Sequence, residues 1–371
     1  MKKKILVITP LPPPYYGSAI SSEINLNLLE ISEEFEVSNI RLNYSNDISD
    51  LGKFSTAKVI GIFNVLRHIW KAMRKDKPDI VYFMPATFGM ALFRDSLFLW
   101  LIRRFKEKML ILHMRSQFKQ EDLKSGFKRF FIKGMLRCDK VILLGQELKE
   151  NLNSLLPGKK IFFLPNAINN SISNEKFSEI AYQRRSNDKL NLFFLSNMLE
   201  FKGWFKLLQT CKLLKDAGVN FKCHFGGGWP SEDERLKFEN YVNIHELQEI
   251  VFYHGKLFGD QKSKMFEKAD VFVYPTDFDA CPRVVIEAME YGLPIISTRV
   301  GTIPSMVSDG ITGFLVKNNI PEELFRNINK LCNNTLRENL GSRGRIKFLN
   351  EFTISSYKEK FVSILLTPVS I

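Results

Sequence analysis

Short, almost unbroken apolar runs recur along this chain, and most are followed by a stretch with helical spacing. Residues 5–8, 80–84, 109–113, 140–144 and 160–164 form one series of runs. Residues 190–195, 221–225, 250–253, 271–274, 294–297 and 314–316 form a second. Runs this short and this apolar suit strands covered on both faces, as in parallel sheets flanked by helices. Such alternation in two blocks implies an α/β chain of two parallel-sheet domains facing across a cleft. The polar stretch between the blocks reads as a linker. The expected division is an N-terminal domain over 1–168, a linker over 169–188 and a C-terminal domain over 189–350. A last helix within 351–371 is expected to pack back on the first domain.

The five cysteines (Cys138, Cys211, Cys223, Cys281 and Cys332) are odd in number and contain no Cys-x-x-Cys pair. The five histidines contain no His-x-x-x-His pair. Neither a disulfide framework nor a structural zinc site is expected, and a reducing compartment is. The opening MKKK leads into an apolar run too short for a signal peptide. The most apolar later window, 81–102, is interrupted by Arg94 and Asp95, against a membrane-spanning helix.

Charge is unevenly placed. The chain carries a net +13, and residues 1–170 hold 27 basic against 16 acidic residues. Three stretches, 63–75, 97–108 and 126–136, interleave Lys and Arg with Phe and Trp. In the first, Phe63, Leu66, Trp70 and Met73 are expected on one side of a helix, with Arg67, Lys71, Arg74 and Lys75 on the other. Each stretch alone reads as the solvated face of a surface helix. Together they point to an anionic membrane surface as partner. Nucleic acid is the rival partner for this pattern, but no nucleic-acid-binding motif accompanies it and none is expected to bind.

Polar residues gather where strands end. Residues 271–292 read as strand, acidic loop and helix, with Asp279 on the loop, Pro282 at the helix start and Glu287 on the helix. An acidic pair at a helix start also fits a cap and a solvated face. Elsewhere in the second block, Ser196 and Asn197 end a strand, and Lys202-Gly203 opens a helix. Gly226-Gly227-Gly228 and Gly301-Thr302 follow two further strands. A lysine at a helix N-terminus suits a phosphate, glycines admit close backbone approach, and a carboxylate accepts ribose hydroxyls. This set suits a nucleoside diphosphate compound. In the first block, the loop 10–18 carries Gly17, and Ser18 or Ser21 is placed to cap the next helix. The G-x-G-x-x-G fingerprint is absent there, so NAD is not expected.

The runs DACPRVVIEAMEYGLPIIST and RVGTIPSMVSDGITGFLV, with FLSNMLEFKGW, HFGGGWP, VFYHGKL, KIFFLPNAIN and ITPLPPPYYGSA, occur in an order and spacing similar to one family. The chain resembles the GT-B glycosyltransferases of the large retaining family four, over nearly its whole length. The resemblance implies two Rossmann-like domains and a nucleoside-diphosphate sugar as donor, with no cofactor and no metal. It makes Glu287 the second acid of E-x7-E, holding the donor ribose, and Asp279 the first acid, facing the sugar. Lys202 matches the phosphate-binding lysine. Gly17 and Ser18 match the N-terminal donor loop, and His113 a histidine near the sugar. Asn197 and Gly227 fall among the donor-binding positions, and Gly301 and Thr302 would offer it backbone amides.

Departures from the family pattern are Asp279 in place of Glu, Asn197 in place of a phosphate arginine, Ser18 in place of a second glycine, and Ser305 where glutamate is common. Asp277-Phe278-Asp279 also spells the D-x-D metal motif of the other glycosyltransferase fold, a reading its place far down the chain disfavours. The function expected is retaining hexosyl transfer to a lipid-linked or oligosaccharide acceptor in bacterial surface polysaccharide assembly (O-antigen, capsule or similar). The location expected is cytoplasmic, peripheral at the inner face of the membrane. A sugar-nucleotide epimerase on the same fold and a non-catalytic membrane-surface scaffold are the alternatives.

Overall fold

The computed structural model describes residues 2–13, 17–42, 56–105, 108–118, 120–150, 152, 155, 160–318 and 320–368. The chain divides into two compact units. One comprises Met1–Pro165 with Lys358–Ile371, the other Asn166–Tyr357.

In the first unit, strands β1 (Lys3–Thr9), β2 (Phe35–Arg41), β3 (Ile80–Phe83), β4 (Met109–Met114), β5 (Lys140–Leu143) and β6 (Lys160–Phe163) alternate with helices. These are α1 (Gly17–Glu30), α2 (Thr56–Lys75), α3 (Gly89–Ile102), α4 (Gln120–Lys124), α5 (Gly126–Met135) and α6 (Glu147–Glu150). The sheet order is β2-β1-β3-β4-β5-β6, and every pairing is parallel. β3 and β5 are buried along their whole length, as the apolar run of β3 and that of β5 after Lys140 require. β2 escapes the sequence pattern because only Phe35 and Ile40 of it are buried, as suits an edge strand.

The second unit runs α7 (Asn174–Arg185), β7 (Leu190–Leu195), α8 (Trp204–Asp216), β8 (Phe221–Gly226), α9 (Glu232–Ile244), β9 (Val251–Tyr253), α10 (Gly259–Lys268) and β10 (Val271–Tyr274). It continues with α11 (Arg283–Glu290), β11 (Ile295–Thr298), α12 (Ile303–Met306), β12 (Gly313–Val316), α13 (Pro321–Lys330), α14 (Asn334–Glu351) and the start of α15 (Ile354–Leu366). Its sheet is also parallel throughout, in the order β12-β11-β10-β7-β8-β9.

The stretch 169–188, expected as a linker, is part of the second unit and contains α7. Ser173 caps that helix, and Arg184 donates to the carbonyls of Phe266, Glu267 and Tyr291. Ser171 gives its N–H and its hydroxyl to Glu290 Oε1, at 2.5 and 2.8 Å. The segment looks like a linker because its anchoring is polar, with Ile180 the one buried residue of α7. From Lys358 on, α15 groups with the first unit. There the fully buried Lys140 donates to the carbonyls of Ile364 and Leu365, a cation at a helix C-terminus, and Phe361 meets Tyr82 edge-on.

The residues expected on one side of α2 are not buried together. Met73 is buried, but Phe63 and Trp70 are exposed, and the buried residues beside Met73 are Val65, Ile69 and Ala72. No helix among the described residues is long and apolar enough to cross a membrane.

Candidate active site

The strand order of the second unit fixes where a ligand site belongs. From β7 the chain moves one way to β8 and β9, then crosses back to place β10 on the other side of β7. Between β7 and β10 the order reverses, and open parallel sheets bind ligands beyond the carboxyl ends at such a point. The loop after β7 carries Lys202, and the loop after β10 carries Asp279.

These two loops are in backbone contact. Asp277 N–H donates to Phe201 C=O at 2.7 Å. Gly203, in the left-handed region at φ +90°, lies so close to Pro275 that a Cβ there would come within 2.0 Å of the Pro275 carbonyl oxygen. Only glycine fits, and its neighbour Lys202 is thereby held at the start of α8, over the β10 loop.

Lys202 Nζ lies 2.6 Å from Asp279 Oδ2 and donates to the Phe278 carbonyl at 3.1 Å. Tyr274, the last residue of β10, donates its hydroxyl to the same Asp279 oxygen at 2.8 Å. Burial, then the charge of Asp279, push the Tyr274 phenol well above its ordinary value, so it stays protonated and remains a donor. The Lys202 and Asp279 side chains keep 16% and 19% of their exposure, enough for a ligand to reach both. Next to them Lys206 Nζ holds both oxygens of Asp277 at 2.6 Å. Each acid of the Asp277-Phe278-Asp279 motif thus has its own lysine. Among the described residues no group of three His, Cys, Asp or Glu side chains is placed to hold a metal ion.

Gly301, after β11, closes the third side. It has φ +55°, and a Cβ would meet the Asp279 carbonyl oxygen at 2.1 Å. Gly301→Ala is expected to destabilise the unit by about 1–3 kcal/mol through backbone strain alone. It should also displace the Asp279 loop. Thermal denaturation checks this, and an unchanged midpoint would show that the loop has room.

Thr302 departs from expectation. It is buried and its N–H donates to the Ala280 carbonyl at 2.9 Å, so that amide secures the loop and is not on offer to a donor. Gly227, after β8, is likewise tied in. Its N–H donates to Gly255 C=O at 2.8 Å and its C=O accepts from the Tyr253 hydroxyl at 2.7 Å. Asn197 is exposed, with its carbonyl accepting from Leu199 N–H.

Glu287 sits one turn into α11, after Pro282 at the cap. Its Oε1 pairs with Lys262 Nζ of α10 at 3.1 Å, while Oε2 is buried with no hydrogen-bond partner. Lys202 therefore pairs with the first acid, and a different lysine serves the second.

The remaining candidates belong to the first unit. Gly17 is exposed at the start of α1, and Ser18 follows it half-buried. His113, in β4, is fully buried. Its Nδ1 lies 2.6 Å from the Tyr82 hydroxyl and its Nε2 3.2 Å from Arg115. Burial, then Arg115, push its pKa well below the ordinary value, so the ring is neutral. It presents no accessible nitrogen where a sugar-facing histidine was expected.

Tyr274, Lys206 and Lys262 are site neighbours that the sequence reading passes over. Tyr274 hides inside an apolar run, although a tyrosine closing a buried strand needs a partner for its hydroxyl. Lys206 lies four residues beyond Lys202, one turn along α8.

Residues 175–347 match the model of a family described as glycosyl transferases group 1. Among curated proteins, the chain is 27% identical over 253 residues to the capsular polysaccharide biosynthesis glycosyltransferase CapM of Staphylococcus aureus, covering 64% of this chain and 66% of CapM. It is 27% identical over 187 residues to a putative colanic acid biosynthesis glycosyltransferase, WcaL of Salmonella typhimurium, covering 48% of this chain and 45% of WcaL. The chain thus spans less than two thirds of the length of either relative. Among solved structures, it resembles Anabaena HepE in complex with UDP and glucose, at TM-score 0.71 and 14% identity over 99% of this chain and 100% of that one. It also resembles sucrose-phosphate synthase from Thermosynechococcus elongatus, at TM-score 0.73 and 16% identity over 98% of both chains. At such identities the likeness is one of fold, and the fold is GT-B.

Proposed function

We propose, for a chain whose residues 175–347 belong to the group 1 glycosyltransferases, that it transfers a hexose-type sugar from a nucleoside diphosphate to an acceptor hydroxyl in bacterial surface polysaccharide assembly. The observation that carries this reading is the Lys202–Asp279–Tyr274 cluster at the point where the sheet order reverses. The names of the capsular and colanic acid relatives support the pathway class. The UDP and glucose held by HepE support the donor class.

In this reading Lys202 exchanges part of its contact with Asp279 for the donor diphosphate, beside the N-terminus of α8. Asp279, kept in place by Tyr274, turns to the sugar hydroxyls. Glu287 Oε2 accepts from the ribose. The bond from the anomeric carbon to the diphosphate oxygen breaks, with its electron pair leaving on the diphosphate. A bond to the acceptor oxygen forms on the same face, as that hydroxyl passes its proton to the departing diphosphate oxygen. The configuration at the anomeric carbon is retained, through a transition state resembling an oxocarbenium ion. The leaving charge falls to Lys202 and the helix N-terminus, and no metal is assigned a part. The acceptor is a lipid-linked saccharide reached at the inner face of the cytoplasmic membrane.

A thermal-shift series against UDP-, GDP- and ADP-sugars tests the donor. One base is expected to raise the melting temperature, since a ligand at about 100 times its Kd adds about 2.7 kcal/mol. No rise with any nucleotide would overturn the reading.

A further inference from the structure

We propose that the outer face of α2, α3 and α5 in the first unit docks on the surface of an anionic lipid bilayer. This deepens the reading above by naming the surface through which the chain reaches a membrane-held acceptor.

The topology puts the three helices in one layer. They connect β2 to β3, β3 to β4 and β4 to β5, all moving the same way across the sheet. Right-handed crossovers place such helices on one face, while α1, which moves the other way, goes to the opposite face. α3 lies between α2 and α5 and packs against both.

Each of these helices has more apolar surface than the core takes up. α2 buries Val65, Ile69 and Met73, yet a second stripe of Ile60, Phe63 and Trp70 faces out, with Phe63 67% exposed. On α3 the outward stripe is Met90, Leu97 and Trp100, with Met90 75% exposed. On α5 it is Phe127 and Phe130, the latter 73% exposed. Phe93 of α3 meets Phe127 and Phe131 of α5 with ring centroids 5.6 and 4.9 Å apart, so the aromatic surface runs on between those helices. A helix that is apolar on both sides needs a second apolar neighbour beyond the core.

Charge identifies that neighbour. α2, α3 and α5 together carry nine Lys and Arg residues and one acid, Asp95, which is buried against Arg94. The adjoining α4 adds Glu121 and Asp122, and Asp122 pairs with Lys128. One of these cations, Arg74, and Arg104 just beyond the end of α3 sit on the exposed indoles one turn back. The guanidinium of Arg74 lies 4.8 Å from the Trp70 ring, and that of Arg104 lies 4.3 Å from Trp100. An indole below a cation is an arrangement suited to the bilayer interface, where the ring enters the acyl boundary and the charge stays with the phosphates. A protein partner would have to supply a wide acidic and apolar face at once, whereas an anionic bilayer has both by composition.

Co-sedimentation of the full chain with phosphatidylcholine vesicles, with and without phosphatidylglycerol, is the test. The wild type is expected to pellet with the anionic vesicles and stay in solution with the neutral ones. Trp emission should shift to the blue only with the former. Each basic residue near the surface adds about five-fold in partitioning. Arg74→Glu with Arg104→Glu is therefore expected to weaken binding by about 25-fold or more. Trp70→Ser with Trp100→Ser should abolish the blue shift. Both double variants must keep the nucleotide-induced thermal shift of the wild type, which separates this proposal from the one on the donor site. Loss of vesicle binding with that shift intact is the expected result. Variants that bind vesicles as well as the wild type, or a wild type that ignores anionic vesicles, would overturn the proposal. So would a wild-type dimer by light scattering that the Trp variants dissolve, since the face would then join two copies of the chain.

Discussion

Lys202→Ala is expected to lower kcat/KM for the nucleotide sugar by about 10²–10³-fold, the loss found when one preorganised charge-stabilising group is removed. The residue is held for that work before any donor arrives. Its backbone is pinned by the Gly203–Pro275 approach, and its ammonium sits between Asp279 Oδ2 and the Phe278 carbonyl. A preorganised ammonium need not be reoriented as charge develops on the leaving diphosphate, and the Asn197 position brings no second cation. Stability should change little, because the pair with Asp279 is partly solvated and Tyr274 still donates to the remaining carboxylate. Lys202→Arg keeps the charge, yet its planar fork does not fit the point-like seat, so only partial recovery is expected. Steady-state kinetics with the donor chosen by thermal shift, beside melting curves, checks both statements. Activity within about three-fold of the wild type would remove Lys202 from the mechanism.

Strand positions were legible because sheets covered on both faces demand unbroken apolar runs. The places of Lys202 and Asp279 on loops after strands were legible from the apolar runs that precede them. Their direct contact was not, since strand order is a property of long-range pairing. Nothing in residues 190–203 says that their loop will lie against residues 275–279. The same limit hid Tyr274 among its apolar neighbours. α2 shows a second limit. Periodicity gathers Phe63, Leu66, Trp70 and Met73 on one side but cannot say which side the sheet will cover, and it is Val65 and Ile69 that are buried while Phe63 and Trp70 are exposed. α7 shows a third. Part of its attachment is one guanidinium on three carbonyls, and backbone acceptors leave no trace in a sequence. The strand of His113 is legible, but the partners of its two ring nitrogens, Tyr82 from the neighbouring strand and Arg115, are not.

Glu287→Ala is expected to raise KM for the donor by about 100-fold or more while leaving the melting temperature unchanged or higher. The two effects have one cause. Glu287 Oε2 is taken out of water with no hydrogen-bond partner, which costs a folded chain about 1–3 kcal/mol. Its other oxygen recovers little from Lys262, whose side chain is about a third exposed. A residue kept at a net cost to stability is best explained by a ligand that supplies the missing donors. Two ribose hydroxyls on one carboxylate, at about 1.5–3 kcal/mol each, account for the expected loss of affinity. Because the contact is to the ribose, the defect should appear with the nucleoside diphosphate alone as well as with the intact donor. Asp279→Ala, acting on the sugar, should impair only the latter. Glu287→Gln keeps one acceptor oxygen and should fall between. Titration calorimetry with both ligands, beside melting curves, measures these quantities. A marked fall in melting temperature together with normal nucleotide affinity would show instead that Glu287 is a structural partner of Lys262.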